Sequence, residues 1–290
     1  MSSTITPTPV VPSWPTETTP HAGAELIQET WALTRRLLLQ LQRRPATLVA
    51  GIIQPLMWLI LFGALFENAP SGFLGAGVNY AQFLSAGIIV FTAFSGALNA
   101  GLPVMFDREF GFLNRFLVAP LVSRFSIVLA STIFITLLSL VQTVAVMGTS
   151  YLLGGGLPGV AGLALVAGIV MLLVLGMTAL SLGLTFALPG HVELLAVIFV
   201  VNLPLLFAST ALAPLDFMPG WLQTVASLNP LSYAIEPIRH LYLHPNWQWS
   251  DVVMRTPWGD LSLGLALLIL AGFDGLIILS VRKLLQRKLS

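Results

Sequence analysis

The chain has 290 residues, of which 56% are hydrophobic and only 9% are charged. A soluble domain carries about 25% charged residues, and 13 Lys and Arg with 12 Asp and Glu could not cover its surface. This composition excludes soluble, disordered and nucleic-acid-binding classes and predicts an integral membrane protein, and the lack of Cys excludes disulfides and thiolate chemistry.

Residues 1–23 are predicted to be a disordered leader. They are rich in Ser, Thr and Pro and contain neither Lys nor Arg. Because a cleaved signal peptide begins with a basic region, this segment does not resemble one.

Residues 24–44 are predicted to form an amphipathic helix on the cytoplasmic membrane surface. One face carries apolar residues interrupted by Thr34: Ala24, Ile27, Trp31, Leu38 and Leu41. The charged residues on the opposite face are Glu25, Glu29, Arg36 and Arg43. Trp31, Arg35, Arg36 and Arg43 are the residues expected at the interface. The alternative, a helix packed on a soluble domain, lacks such a domain in this chain.

Long intervals without charge predict the membrane spans, since a spanning helix needs about 20 apolar residues. The longest interval has 68 residues, between Arg124 and Glu193, and Gly and Pro at 154–158 divide it into two helices. The result is an all-α integral membrane protein with six transmembrane helices. The predicted spans are 46–66, 80–102, 126–152, 159–187, 194–213 and 261–281.

The positions of Lys and Arg predict the orientation of these spans. Eleven of the 13 basic residues fall on one side of a six-span topology, and only Arg239 and Arg255 fall on the other. Both termini are therefore expected in the cytoplasm.

The segment between spans two and three contains a predicted short helix with mixed charges. Phe106, Phe110, Leu113 and Leu117 form an apolar stripe at helical spacing, and Pro120 breaks the helix. Such a helix suits docking into a groove of a cytoplasmic partner. An ordinary basic loop with incidental aromatic residues is the alternative that the pattern leaves open.

Residues 214–259 are too apolar for a solvated loop and too rich in Pro for a span. Short helices that dip into the outer interface are expected at 214–245, with Trp and Tyr at headgroup depth. His240 and His244 are four residues apart, but no third ligand accompanies them, so no metal site is predicted.

Polar residues inside the spans are candidates for a translocation path. Asn202 and Pro204 lie in the middle of span five, where a kink would line a path, and Gln142 in span three is a weaker candidate. Asp274 lies past the middle of span six. We expect it to be a neutral acid that hydrogen-bonds a neighbouring helix, with a transport role as the alternative. Gly183, four residues after Ala179, predicts close helix packing in span four.

The sequence lacks the motifs of ATP hydrolysis and of nucleophilic catalysis. Its only two lysines, Lys283 and Lys288, lie outside any phosphate-binding loop, so ATP hydrolysis by that route is excluded. A serine nucleophile elbow is missing too. The chain is therefore predicted to be no enzyme.

Three segments carry a resemblance to a known family. They are QPLMWLILFG at 54–63, REFGFLNRFLVAPLVSR at 108–124 and LAPLDFMPGWLQTVASLNPLSYAIEPIR at 212–239. Together they resemble type-2 ABC exporter permeases, the ABC-2 family, in the daunorubicin and antibiotic-resistance export branch. The segment at 118–122, which precedes Ser123 and Arg124, is slightly longer than the corresponding segment usually is in that family.

The resemblance implies that two permeases, here two copies of this chain, pair with two copies of a separate cytoplasmic ATPase. That ATPase would bind ATP and Mg, and this chain would bind no cofactor. Residues 24–44 would be the connecting helix, 45–290 the transmembrane domain and 107–119 the coupling helix. The residues expected to contact the ATPase are Asp107, Arg108, Glu109, Phe112, Leu113, Arg115 and Phe116.

The implied function is export of a hydrophobic or amphipathic substrate (a drug, a lipid or a lipid-linked glycan) across a bacterial-type plasma membrane. The alternative is an ion-coupled secondary transporter that uses Asp274. Against it, the chain has a single intramembrane carboxylate and no inverted repeat of broken helices.

Overall fold

The architecture was analysed in a computed structural model, which describes residues 22–66, 80–111 and 125–289. The predicted leader lies almost entirely outside these residues. Helices account for most of the described chain, which confirms the predicted helical membrane architecture. The helices are α1 (Ala22–Gln42), α2 (Pro45–Leu65), α3 (Tyr80–Asn99), α4 (Gly101–Glu109), α5 (Phe125–Leu152), α6 (Val160–Ala187), α7 (His191–Phe207), α8 (Gly220–Leu228), α9 (Ser232–Leu243) and α10 (Leu263–Leu289).

Five helical segments in the described part of the chain are long and apolar enough to cross a membrane. They are Leu48–Leu65, Tyr80–Glu109, Ser126–Leu152, Val160–Ala187 and Leu263–Lys283. The predicted span at 194–213 corresponds to α7, which is shorter, with 17 residues. At 1.5 Å per residue α7 is about 25 Å long, slightly less than the hydrocarbon core of a bilayer.

Helix α3 lies at the centre of the bundle. It packs against α2, α5, α6 and α9, and 61% of its span is buried within the chain, compared with 6% for the span in α2. Phe94 and Leu84 of α3 are fully buried and belong to one core cluster with Leu173 of α6. A uniformly apolar helix left uncovered at the edge, such as α2, presents its side chains to lipid or to another protein.

Small residues bring α6 and α10 close together. Asp274 of α10 lies directly over Gly176 of α6, and Val281 lies over Gly183 one heptad further along. A Cβ at Gly176 would overlap the carboxyl group of Asp274, and one at Gly183 would lie 2.6 Å from a methyl of Val281. This is the close packing predicted for span four, although Gly176 contributes to it as well as Gly183.

The helix of the second span is interrupted at Ala100, where α3 ends and α4 begins. Two hydroxyls of α6 bridge the break. The N–H of Gly101 donates to Ser181 Oγ at 2.9 Å, and Thr185 Oγ1 donates to the carbonyl of Gly101 at 3.1 Å. Ser181 also donates to the carbonyl of Leu98. A side chain at Gly101 would overlap both hydroxyls, so this position requires glycine.

The segment between α7 and α10 folds over the opposite end of α3. It comprises a 3-10 turn at Leu215–Phe217, helices α8 and α9, and an antiparallel hairpin of β1 (Val252–Thr256) and β2 (Gly259–Ser262). The all-α prediction did not include this hairpin. It forms where β-branched residues precede a tight turn at Gly259, whose φ of 138° suits glycine.

Two side chains attach this segment to the spans. Asn229 donates to the carbonyls of Leu205 and Ala208, each at 2.7 Å, and so satisfies the free C-terminal carbonyls of α7. Arg239 of α9 is buried and donates to the carbonyls of Phe83 and Thr210. These contacts connect α9 to α3 and to the loop after α7.

Candidate functional site

The end of α4 meets the tight turn between α6 and α7, and Arg108 makes the first contact there. Its Nη1 donates to the carbonyl of Thr185 at 2.5 Å, and Nη2 donates to the carbonyls of Leu188 and Pro189 at 2.7 Å each. These carbonyls lie at the C-terminal end of α6, which has no basic residue in its last turn. Arg108 therefore supplies both the hydrogen bonds and the positive charge that this helix end requires.

Glu109 binds the other side of the same turn. The backbone N–H of His191 donates to Glu109 Oε1 at 2.6 Å, and His191 Nδ1 lies 2.5 Å from Oε2. His191 is the first residue of α7, so the carboxylate lies at the positive end of that helix. Consecutive residues of opposite charge thus complement the C-terminus of α6 and the N-terminus of α7.

Gly190 leaves room for this arrangement. A Cβ at this position would lie 2.8 Å from Glu109 Oε1 and 3.0 Å from Glu193 Oε2. The backbone of Gly190 is extended, a conformation that any residue can adopt. Glycine is therefore required here because two carboxylates approach it closely, and not because of its backbone conformation.

Asp107 connects α4 to the predicted interfacial helix. Its Oδ2 lies 3.9 Å from Arg36 Nη2 of α1, and both side chains remain partly exposed. An exposed ion pair of this length contributes little to stability on its own. Its consequence is geometric, because the three consecutive residues Asp107, Arg108 and Glu109 contact α1, α6 and α7 respectively. We call these three residues the α4 junction.

The coupling-helix prediction differs from the structure at its beginning. Residues 107–109 form the last turn of α4, and the chain leaves the helix at Phe110 and Gly111, where Gly111 has a φ of 75°. The predicted helix therefore does not begin at Asp107. The other predicted contact residues lie outside the described residues: Phe112, Leu113, Arg115 and Phe116.

Helix α1 has an exposed apolar face and a small buried face. Trp31 and Ile27 are 62% and 70% exposed, as an interfacial helix requires. Thr30 and Thr34 are buried where α1 packs on α5. The sequence prediction treated Thr34 as an interruption of the apolar face, but it lies at a helix–helix contact.

The predicted path residue Gln142 is used inside the protein. It is buried, and its Nε2 donates to the backbone carbonyl of Gly51 in α2 at 2.9 Å. The amide therefore joins α5 to α2. Nothing in this geometry directs it toward a substrate.

Asn202 and Pro204 lie on α7, as predicted. Ser95 of α3 donates its hydroxyl to Asn202 Oδ1 at 3.0 Å, so the amide oxygen joins the two helices. Pro204 is exposed and lies in the last turn, and α7 ends at Phe207. Because proline has no N–H, the carbonyl of Val200 in α7 loses its helical donor, and the helix ends three residues after Pro204.

Asp274 is buried, but the expected hydrogen bond to a neighbouring helix is absent. Neither carboxyl oxygen has a hydrogen-bond partner within the described chain, and the group is 2% exposed. It packs on the backbone of α6 at Gly176, where only a glycine leaves space. An ionised carboxylate without a donor is strongly disfavoured in such surroundings, so the geometry favours the protonated acid.

Sequence reasoning missed several residues that organise this region. The bridge at the helix break is formed by Gly101, Ser181 and Thr185. The backbone N–H of His191 donates to the carboxylate of Glu109. A signal was present in Leu188-Pro189-Gly190, because Pro followed by Gly marks a turn between two apolar helices. Which side chains would meet at that turn could not be deduced from spacing along the chain.

No group of three or more His, Asp or Glu residues suited to a metal ion occurs among the described residues. His240 instead approaches Asp251, with Nε2 and Oδ2 3.0 Å apart, and its ring stacks on His244 at 4.2 Å. These histidines thus hold α9 against the start of the hairpin.

Together, the apolar helices and the α4 junction define a multi-pass membrane protein in which the end of one span is tied to three other helices. The sequence profile of the family described as ABC-2 type transporter matches residues 28–243. The chain belongs to this family and is an ABC transporter permease.

Relatives agree with this assignment. The chain is 55% identical over 266 residues to the putative transport permease ycf38 of Porphyra purpurea, covering 92% of this chain and 91% of that protein. It is 56% identical over 266 residues to ycf38 of Pyropia yezoensis, covering 91% of each chain. A more distant relative is the daunorubicin resistance ABC transporter permease protein DrrB1 of Streptomyces coeruleorubidus, 27% identical over 248 residues and 80% of both chains.

Proposed function

We propose that this permease is the membrane subunit of an ATP-driven exporter. Two copies of the chain would pair with two copies of a separate cytoplasmic ATPase, which would bind ATP and Mg. Family membership supports this proposal, as does the absence of a phosphate-binding loop from the sequence. The α4 junction, α1 and both chain termini would face the cytoplasm, as the distribution of Lys and Arg favours.

The observation that carries the proposal is the set of contacts made by the α4 junction. Residues 107–119 would be the docking segment for the ATPase. Its first three residues contact α1, α6 and α7 through charged side chains, so a push on the segment reaches several helices at once. Closure of the ATPase dimer would thereby tilt α6 and α7 together with α4 and open a path between the two permeases.

The substrate would be hydrophobic or amphipathic: a drug, a lipid or a lipid-linked glycan. It would leave from the cytoplasm or from the inner leaflet of a bacterial-type plasma membrane. The name of the daunorubicin-resistance relative supports export of an apolar compound.

The test is co-expression of the permease with a candidate ABC ATPase from the same organism. Phe112→Ala should preserve membrane insertion but lower co-purification of the ATPase or its stimulated turnover. Glu109→Arg should have the same effect and should also disturb the turn at His191. Ala24→Ser on the exposed side of α1 is a suitable control. Normal co-purification and normal stimulated turnover in both Phe112→Ala and Glu109→Arg would refute the docking segment.

The unpartnered carboxyl of Asp274 supports a second candidate, an ion-coupled secondary transporter. Asp274→Asn keeps the size of the side chain but cannot exchange a proton. Under the exporter proposal this variant retains most transport. Complete loss of transport, with normal expression and ATPase binding, would favour the second candidate.

A further inference from the structure

An open cavity of about 320 Å³ lies at the end of the molecule opposite the α4 junction. It is bounded by α9, by strand β1 and by the turn at residues 214–216, and Phe83 in the first turns of α3 contributes to its floor. The sequence predicted short interfacial helices at this end but no binding site, and the proposed export mechanism does not use the cavity.

The floor of the cavity contains a buried cation that is only partly engaged. Arg239 is 4% exposed, lies 3.6 Å above the centre of the Phe83 ring and pairs with Glu236 at 2.5 Å. Its Nε and Nη2 also donate to the backbone carbonyls of Phe83 and Thr210. A guanidinium has five N–H groups, so two remain for another acceptor.

Two further charges line the cavity on different elements. Asp216 belongs to the 3-10 turn and Arg255 to β1, and neither side chain has a hydrogen bond or ion pair with any described residue. Asp260 is the cross-strand neighbour of Arg255, but it does not line the cavity and makes no ion pair with Arg255 in the described chain. The cavity therefore offers one anion and one cation that are free for a ligand.

The lining charges favour a ligand with both signs. Two carboxylates and two guanidinium groups balance, so a simple anion or a simple cation would meet repulsion along with attraction. The remaining lining is apolar and includes Met254. A volume near 320 Å³ is at the lower end of small-molecule sites, which have about 300–1,000 Å³, and it suits a compact group attached to apolar chains.

Aromatic residues indicate the depth of this cavity in the membrane. Trp221, Trp249 and Trp258, on the same end of the molecule, are 70%, 56% and 55% exposed. Exposed Trp side chains concentrate at the level of lipid headgroups. We therefore expect the cavity to open at the level of the lipid headgroups.

We propose that this cavity binds a zwitterionic amine–phosphate group, supplied by the headgroup of a phospholipid. The amine would lie at Asp216, and the phosphate would accept from Arg255 and from the free N–H groups of Arg239. The glycerol and the first methylenes would cover the apolar lining. A soluble amine–phosphate compound shares this chemistry and is the other possible source. The site does not depend on the proposed export function.

The test measures lipids retained by the full-length permease, purified in mixed micelles with equal amounts of phosphatidylethanolamine and phosphatidylglycerol. Native mass spectrometry should show about fivefold preferential retention of phosphatidylethanolamine, equivalent to about 1 kcal/mol. Asp216→Asn and Arg255→Gln should each reduce the preference to less than about twofold. Asp260→Asn, a change of the same kind beside the cavity, should leave it intact.

Competition with soluble phosphoethanolamine distinguishes the two sources. Retention of the lipid at millimolar competitor supports the headgroup, whereas displacement supports the same chemistry from a free solute. Equal retention of both lipids by the unmodified permease would overturn the proposal. An unchanged preference in both cavity variants would overturn it too, provided that their thermal unfolding matches the unmodified protein. ATPase stimulation, measured after the partner ATPase is added to the same samples, reports separately on the export function.

Discussion

Gln142 donates its side-chain N–H to the carbonyl oxygen of Gly51, which is the carbonyl that Pro55 leaves without a helical donor. In a helix the carbonyl of residue 51 would accept from the N–H of residue 55, and proline has none. An unsatisfied carbonyl is costly within a membrane, because no water can replace the donor. A polar residue in one span thus compensates for a proline in another.

This relationship predicts a coupling between the two positions. Gln142→Leu should lower the free energy of unfolding by about 1 kcal/mol, because the Gly51 carbonyl loses its donor. In a Pro55→Ala background the loss should be less than half as large, since the substituted alanine supplies the missing backbone N–H. Unfolding in mixed SDS micelles measures both values. Equal losses in the two backgrounds would mean that Gln142 acts through another contact.

Gly176 should not tolerate a methyl group. Gly176→Ala places a Cβ within the volume of the Asp274 carboxyl and should destabilise the α6–α10 pair by about 1–3 kcal/mol. Gly168→Ala in the same helix is the matched control, because its Cβ would meet no atom within 4 Å. Adding Asp274→Ala should recover part of the loss. Thermal unfolding in detergent tests the series, and equal melting temperatures for the two glycine variants would exclude the packing account.

Gly190 should be required by the carboxylate of Glu109. Gly190→Ala should displace Glu109 from the N-terminus of α7, with a loss of about 1 kcal/mol, comparable to removal of a helix cap. Gly159→Ala is the control, because Gly159 also precedes a helix and its Cβ would have no neighbour within 4 Å. Unfolding stability and stimulated ATPase turnover should both fall in Gly190→Ala alone. If the control behaved in the same way, the effect would belong to glycine at helix starts in general.

The hairpin end of the molecule should loosen in acid. The backbone N–H of Gln248, at 2.7 Å, and the His240 ring hold the pKa of Asp251 below its ordinary value. A lowered pKa means that the charged form stabilises the fold above the unfolded value of about 3.9, and that this stabilisation is lost as the pH falls through the folded value. Hydrogen exchange of residues 247–262, corrected for the intrinsic rate, should therefore rise below about pH 4.

Asp251→Asn provides the comparison for this pH dependence. The variant should show faster exchange in this segment at neutral pH and little further change in acid. Asp260→Asn on the same hairpin should retain the profile of the unmodified protein. A persistent acid transition in Asp251→Asn would assign it to a different carboxyl.

The α4 junction shows why site residues are harder to predict than spans. Arg108 and Glu109 were expected to contact a partner ATPase, and their side chains contact α6 and α7 of the same chain. Their partners lie about 80 residues away in sequence, in a turn without a distinctive motif beyond Pro189-Gly190. Whether two charges face outward or cap helix ends depends on how the helices are placed.

The sequence by itself determined the class of protein and the positions of five apolar helices long enough to cross a membrane. Uninterrupted apolar stretches exclude water-exposed folds whatever the packing, because burial of charge in a bilayer is so unfavourable. Only the tertiary structure decided the roles of the polar residues within and beside those spans. Gln142, Asn202 and Asp274 are all polar residues within apolar spans, and the sequence does not distinguish their roles. In the structure Gln142 donates to a backbone carbonyl, Asn202 accepts a hydrogen bond from a hydroxyl and Asp274 packs on a glycine. Each role follows from the atom that a neighbouring helix places within about 3 Å, and the linear order of residues does not contain that distance.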